Sequence, residues 1–276
     1  MSRNYYCLVA GLPNISFEDS KLSYGSADLL ADLKDSIHED DYKYFELFRL
    51  RTDNDNIFTI LSGLERRFFD NGNYNLYQLE EMIEEPVKAV SYIREFIDEF
   101  DKTNEDIDTY RKKLTASYCK YVLSCDNLFL KNWFELEFNI RNIFAALNSR
   151  KHGLEIEKAV VDINEVSEAL KKSTLRDFGL GGTLEYMEKL LTIFQISDLM
   201  AREKAVDLFK WDWLEDNTLF DYFTVEKLLS HYIKLSTIER WITLDPETGK
   251  ELFNRLIREL EKEGKNTGIE AEKLKN

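Results

Sequence analysis

Apolar residues recur along most of the chain at three- and four-residue intervals, the spacing that lines one face of an α-helix. From Asp41 the run YKYFELFRL sets Tyr42, Phe45 and Phe48 on one face. NIFTILSGL repeats the pattern beyond a polar stretch at Asp53 and Asn54, read as a turn between two helices. Ser26 is placed to cap the helix SADLLADLKDSI. LYQLEEMIEE stops at Pro86, which suits the first position of a following helix, VKAVSYIREFIDEF, with a stripe of Val90, Ile93 and Ile97. A stretch without Gly or Pro runs over 105–150, with Cys125-Asp126-Asn127 as the place for a break, and His152-Gly153 ends it. An amphipathic segment at 156–170 and the loop Gly179-Leu180-Gly181-Gly182 follow, with Thr183 as the next cap. Further helical segments are expected at 183–196, 198–215, 219–242 and 247–263, and the polar residues 264–276 predict a flexible tail. No alternating runs flank an Asn-Gly or Asp-Gly turn in hairpin fashion, so the expected class is all-α.

The helical pattern also repeats. Shifted by 86 residues, FRLRTDNDNIFTILS (48–62) aligns with FELEFNIRNIFAALN (134–148), and six of fifteen positions agree. They are Phe48 with Phe134, Leu50 with Leu136, Asn56 with Asn142, Ile57 with Ile143, Phe58 with Phe144, and Leu61 with Leu147. YFTVEKLLSHYIKL (222–235) is a third, fainter echo that lacks the Asn. The pattern suggests pseudo-repeated units at 1–101, 102–182 and 183–263, followed by the tail. Asn56 and Asn142 stand beside apolar runs, where a buried amide needs a partner on a neighbouring backbone or side chain.

Charge narrows the functional classes. The formal net charge is −15, and residues 1–101 hold 21 acidic against 10 basic residues. Such a chain repels phosphate backbones and anionic lipid heads, and no basic stripe interleaved with aromatics offsets this, so nucleic acid is not an expected partner. No run reaches the roughly 18 to 20 apolar residues of a membrane span, which points to a cytoplasmic protein. Cys7, Cys119 and Cys125 lack CxxC spacing and read as reduced thiols.

Candidate chemistry is sparse. His38, His152 and His231 are far apart and without HExxH spacing, so no metal site is expected. The glycine loop at 179–182 lacks the Walker spacing and its Lys, and reads as a helix end followed by a cap. Adjacent acidic pairs such as Glu80-Glu81 do not face each other on a helix and read as solvated charge. There is no GxSxG elbow, and Trp211 and Trp213 read as packing. Neither a catalytic residue nor a cofactor site is expected, although an enzyme whose carboxylates meet across a bundle stays open.

YYCLVAGLP, LFRLRTDNDNIFTIL, WFELEFNIRNIFAALNSRKHG and KAVDLFKWDWLEDNTLFDYFTVEKLLSHYIKLSTIERW resemble the bacterial branch of the C subunits of V-type (A/V-type) ATPases, over roughly residues 4–260. The resemblance implies a funnel of three pseudo-equivalent helical domains that seats the central shaft on the membrane rotor ring. It implies a non-catalytic part of an ion- or proton-transporting complex, held peripherally at the cytoplasmic face of the membrane through protein contacts. The chain is shorter than that family's members, and its third unit lacks the Asn. On this reading the partner-contact candidates are Asp53, Asp55, Asn56, Glu137, Arg141, Asn142 and Lys151. Ion pairing between helices is the plainer account of Glu135, Glu137, Arg141 and Lys151. A helical adaptor unrelated to a rotor is the alternative.

Overall fold

The computed structural model describes residues 3–63, 68–101 and 107–244. In chain order its α-helices are α1 (Tyr6–Gly11), α2 (Ser26–Lys34), α3 (Glu39–Ser62), α4 (Leu76–Glu84), α5 (Ser91–Glu99), α6 (Ile107–Leu123), α7 (Leu128–His152), α8 (Ile156–Ala159), α9 (Glu165–Lys172), α10 (Met187–Phe194), α11 (Leu199–Asn217) and α12 (Val225–Leu244). A 3-10 turn, Pro86–Lys88, joins α4 to α5, and there is no strand among the described residues, so the protein is all-α. The helix expected at 247–263 and the tail at 264–276 lie outside the described residues.

The helices fall into two compact units, residues 37–220 and the described residues on either side of them. This division does not follow the three consecutive segments 1–101, 102–182 and 183–263. One unit joins the two ends of the chain, and the other runs across the boundaries expected at 101 and 182.

The unit of residues 37–220 contains two four-helix repeats, each a long, a short, a short and a long helix. α3, α4, α5 and α6 have 24, 9, 9 and 17 residues, and α7, α9, α10 and α11 have 25, 8, 8 and 19. In each repeat the last helix runs back along the first. Arg111 of α6 covers the Phe58 ring near the end of α3, and the Tyr118 hydroxyl bonds the Leu47 carbonyl near its middle. Trp213 of α11 packs on Phe129 and Trp133 at the start of α7. The aromatic core is fully enclosed at Phe45, Phe58 and Phe134, and each such ring contributes about 1.5 to 3 kcal/mol by leaving water. Both α3 and α7 stop at a glycine in the left-handed region, Gly63 at φ 65° and Gly153 at φ 66°, where a side chain would be strained.

Several boundaries differ from those expected. Asp53 and Asn54 do not turn the chain; α3 runs unbroken through them because both side chains find tertiary partners in the interior. Pro86 opens only a 3-10 turn, and α5 starts later with Tyr92, Ile93 and Phe96 as its buried face. The 156–170 segment breaks between α8 and α9, where Asn164 caps α9. Thr183 does not cap α10, whose first turn follows Tyr186. The break at 125–127 is present, with Asn127 accepting the Leu130 N–H at 3.0 Å to start α7.

In the other unit α12 packs on α2, where Leu29 and Leu33 are enclosed. Ser26 is the first helical residue of α2, not its cap. Its N–H and hydroxyl go to the Glu239 carboxylate of α12 at 2.7 and 2.6 Å, a partner 213 residues away that no local pattern announces. A carboxylate at the positive end of α2 is favoured both by the free N–H groups and by the helix dipole. α1, cut from the apolar run YYCLVAGLP, has no buried residue.

His231 of α12 is half-buried, and its Nε2 is enclosed without a hydrogen-bond partner among the described residues. Burial, reinforced by Lys234 and Lys227, lowers its pKa to about 4. The unfolded chain takes up this proton near pH 6.5, about its ordinary value, whereas the folded chain resists until about 4. Between those values the unfolded state binds more protons, so stability falls as the pH drops. Urea-unfolding midpoints followed from neutral pH down through this window decline in the wild type, and the decline is shallower in His231→Gln.

Candidate binding surface

The residues singled out from the repeat separate into an internal set and a surface set. Asn56 of α3 donates from Nδ2 to the Phe69 carbonyl at 2.7 Å and accepts the Phe69 N–H at 3.0 Å. Asn142 of α7 does the same to Val161, at 2.8 and 3.0 Å. Each amide thus satisfies one donor and one acceptor of the strand of backbone that follows its long helix. Asp53 and Asn139, one turn earlier in each long helix, form a second matched pair. The Asp53 carboxylate accepts from the Asn73 N–H at 2.9 Å, the Tyr74 N–H at 3.2 Å and the Asn73 amide at 2.8 Å. Asn139 accepts from Asn164 at 2.9 Å and donates to the Tyr186 hydroxyl at 3.3 Å. In the first repeat the tyrosine contact falls to Tyr92 and Asn54, at 2.8 Å.

Asp53, Asn56 and Asn142 are therefore buried, and the contact with a partner expected of them gives way to an internal role. Burial pushes the Asp53 carboxyl above the ordinary aspartate range, against the opposing pull of the Asn73 and Tyr74 N–H groups. Gly72 is where this loop passes closest to α3, and a Cβ there would meet Asp53 Oδ1 at 2.2 Å. Arg49 completes the hold by donating to the Asn71 and Gly72 carbonyls.

The surface set lies where α3 and α7 pass each other. Phe48 and Phe134, equivalent in the repeat, have ring centroids 4.9 Å apart. One turn on, the equivalent residues Arg51 and Glu137 approach to 3.8 Å. Equivalent residues of α3 and α7 thus meet at two positions one turn apart. Lys210 of α11 reaches the same Glu137 carboxylate at 3.7 Å. A further turn along, Asp55 and Arg141 are exposed on their helices. The result is a strip of alternating charge, Arg51 and Asp55 on α3 against Glu137 and Arg141 on α7, with Lys210 beside it. Cys119 lies beneath, and burial raises its pKa to about 12, with Arg141, Glu137 and Arg51 all near enough to act on it. Lys151 is apart from this strip, exposed at the end of α7 with its Nζ 6.0 Å from the Phe194 ring. Glu135 is exposed on α7.

Arg51 and Lys210 are not legible as site residues in the sequence. Arg51 falls inside the aligned window, but its equivalence to Glu137 is a reversal of charge and scores as a mismatch. Lys210 has no signal in the pattern at all.

Other candidate chemistry is occupied from within. In the glycine loop, the Asp177 carboxylate takes the Gly179 and Gly181 N–H groups at 2.9 and 3.1 Å, which holds its pKa below the ordinary range. The amides that would cradle a phosphate are already used. Among the described residues no three His, Cys, Asp or Glu side chains gather as metal ligands, and no helix is long and apolar enough to cross a membrane. A cavity of about 290 Å³ lies beside α1, lined in part by Cys7, Leu12, Tyr24 and Asp32, and the Tyr24 hydroxyl is tied to Asp32 at 2.8 Å.

No curated protein matches the chain. A family model described as "Protein of unknown function (DUF2764)" matches residues 1–264.

Two measurements follow from this geometry. Asn142→Ala strands the buried N–H and C=O of Val161 and lowers stability by about 1 to 3 kcal/mol in urea unfolding, and Asn56→Ala, whose partner Phe69 is half-exposed, costs about 1 kcal/mol. In double-mutant cycles with Glu137→Ala, the exposed Arg51 couples by roughly 0.5 kcal/mol, and the more enclosed Lys210 by about 1 kcal/mol or more.

Proposed function

The chain belongs to the DUF2764 family, whose function is unknown, and we propose that it is a non-catalytic coupling subunit of a rotary V-type ATPase, seating the central shaft on the membrane rotor ring. The observation that carries this reading is that equivalent residues of α3 and α7 meet, Phe48 on Phe134 and Arg51 on Glu137, while each helix is tied to its own repeat by a side-chain amide. A part that passes torque must resist shear between its repeats, and close packing with satisfied polar groups supplies that rigidity. The resemblance of the segments quoted above, over roughly residues 4–260, to the C subunits of V-type ATPases points the same way.

On this reading the charged strip of Arg51, Asp55, Glu137 and Arg141 meets the shaft. Alternating charge fixes the orientation of a partner and speeds encounter more than it adds affinity. Attachment to the membrane is through the rotor ring, and the location is the cytoplasmic face.

The test mixes the purified protein with the central-shaft subunits and follows complex formation by size exclusion and calorimetry at low and high salt. A complex is expected, and because charges farther apart than about 8 to 10 Å are screened at physiological ionic strength, association slows as salt rises. Reversing the two exposed charges in Asp55→Lys with Arg141→Glu slows association about tenfold and changes dissociation less. Absence of a complex at every salt concentration removes the rotor assignment and leaves a helical adaptor with other partners.

A further inference from the structure

The loop that follows α3 carries the single Asn-Gly pair of the 276-residue sequence, Asn71-Gly72. We propose that this pair is a self-modification site, at which the backbone attacks the Asn71 side chain and Arg49 promotes the attack. In the reaction the Gly72 peptide nitrogen forms a bond to Asn71 Cγ, and the Cγ–Nδ2 bond breaks. Ammonia leaves with the proton that Gly72 gives up, and a five-membered succinimide remains. Water then opens either carbonyl of that ring, giving aspartate or isoaspartate at position 71. The balance is one water consumed and one ammonia released, with no oxidant or reductant.

Four observations converge on the site. Gly72 presents a nitrogen unhindered by a side chain, and the fold requires glycine there because a Cβ would meet Asp53 Oδ1 at 2.2 Å. Asn71 is exposed, and its side chain makes no hydrogen bond among the described residues, so Cγ is free to approach. The Gly72 N–H likewise has no acceptor among the described residues, in contrast to its neighbours Asn73 and Tyr74, which donate to Asp53. Arg49 directs its Nε at the Asn71 carbonyl at 3.4 Å and its Nη2 at the Gly72 carbonyl. The Asn71 carbonyl belongs to the peptide whose nitrogen must lose a proton. A fixed guanidinium on that oxygen stabilises the negative charge as it develops, the logic of an oxyanion hole. Asn148-Ser149, the other Asn before a small residue in a described long helix, is held inside α7 with Ser149 buried.

The modification acts on the anchor of the first repeat. Isoaspartate reroutes the main chain through Cβ of residue 71, which adds one methylene before Gly72 and turns the Asn71 carbonyl held by Arg49 into a carboxylate off the chain, so the Arg49 and Asp53 grips cannot both keep their register. The loop then releases from α3.

The experiment incubates the intact protein in mildly alkaline buffer at body temperature and follows position 71 by peptide mapping and mass spectrometry. A synthetic peptide of residues 68–76 is run in parallel. Conversion is expected first at Asn71, at a rate matching or exceeding that of the peptide. Arg49→Gln slows it about tenfold, as expected for losing a hydrogen bond to a developing charge, and Arg49→Lys restores part of the rate. Asn71→Ser, which changes an exposed side chain only, abolishes it. The proposal is overturned if the intact protein converts Asn71 at less than a tenth of the peptide rate, or if another asparagine converts first. Faster conversion in Arg49→Gln than in the wild type, read alongside an unchanged circular dichroism spectrum, shows that the clamp protects the pair, and also overturns it.

Discussion

The architecture of residues 37–220 depends on one kind of bond, a side-chain amide inside a long helix that closes two hydrogen bonds with the backbone of the segment leaving that helix. Helices α3 and α7 carry polar residues at positions that must be enclosed if the following short helices are to pack. Burying an amide without partners costs more than a typical single hydrogen bond returns. Asn56 and Asn142 resolve this with the same geometry, each taking one N–H and one C=O of a single residue. The bond also sets direction, because it fixes where the chain turns back against the helix. Asp53 and Asn139, one turn earlier, hold the entry to α4 and α9 by different bonds, Asp53 through backbone N–H groups and Asn139 through the Asn164 side chain. The unit that joins the chain ends uses a carboxylate for a related purpose, as Glu239 of α12 holds the first residue of α2.

The periodicity of apolar residues is enough to read helices and the class, since 3.6-residue spacing and the absence of breakers are local properties. It fails where a polar residue lies inside a helix. Asp53 and Asn54 look like a turn because isolated Asp and Asn favour turns, and only Tyr92, Asn73 and Tyr74, far along the chain, make them helical residues. Ser26 looks like a cap for the same reason, and its actual partner comes from α12. The repeat is legible in part. Identities pick out Asn56 and Asn142 correctly as equivalents, but their reading as contact residues requires them to be exposed. The apolar runs beside them do point to a buried amide with a backbone partner, which both have; which backbone supplies it, Phe69 or Val161, is set by how the chain returns and is not a local property.

Charge is distributed in a way that composition does not convey. Part of the acidic excess of the first third emerges on the short helices of the first repeat and the turn between them, where Glu80, Glu84, Glu85, Glu95, Asp98 and Glu99 are exposed. Lys88 tethers part of it by pairing with Glu81 and Glu85 at 2.7 Å. The strip between α3 and α7 is close to balanced in sign. The net negative field and the balanced strip are thus placed on different elements, and long-range steering and short-range orientation are separate electrostatic tasks.

The meeting of α3 and α7 at equivalent residues bears on how such a pair arises. Where two duplicated helices meet at equivalent positions, a residue faces its own duplicate. An aromatic ring tolerates that, and Phe48 and Phe134 have stayed identical. A charge does not, and Arg51 faces a glutamate where faithful duplication would have placed a second arginine. Asp55 and Arg141, the next equivalent pair along the helices, also carry opposite charges, with the negative one in the first repeat. Duplicated halves that touch at equivalent points must diverge first at their charged contacts, and once they have done so neither half can stand in for the other. The two repeats are complementary in the manner of a plug and its socket, and their order along the chain has become part of the fold.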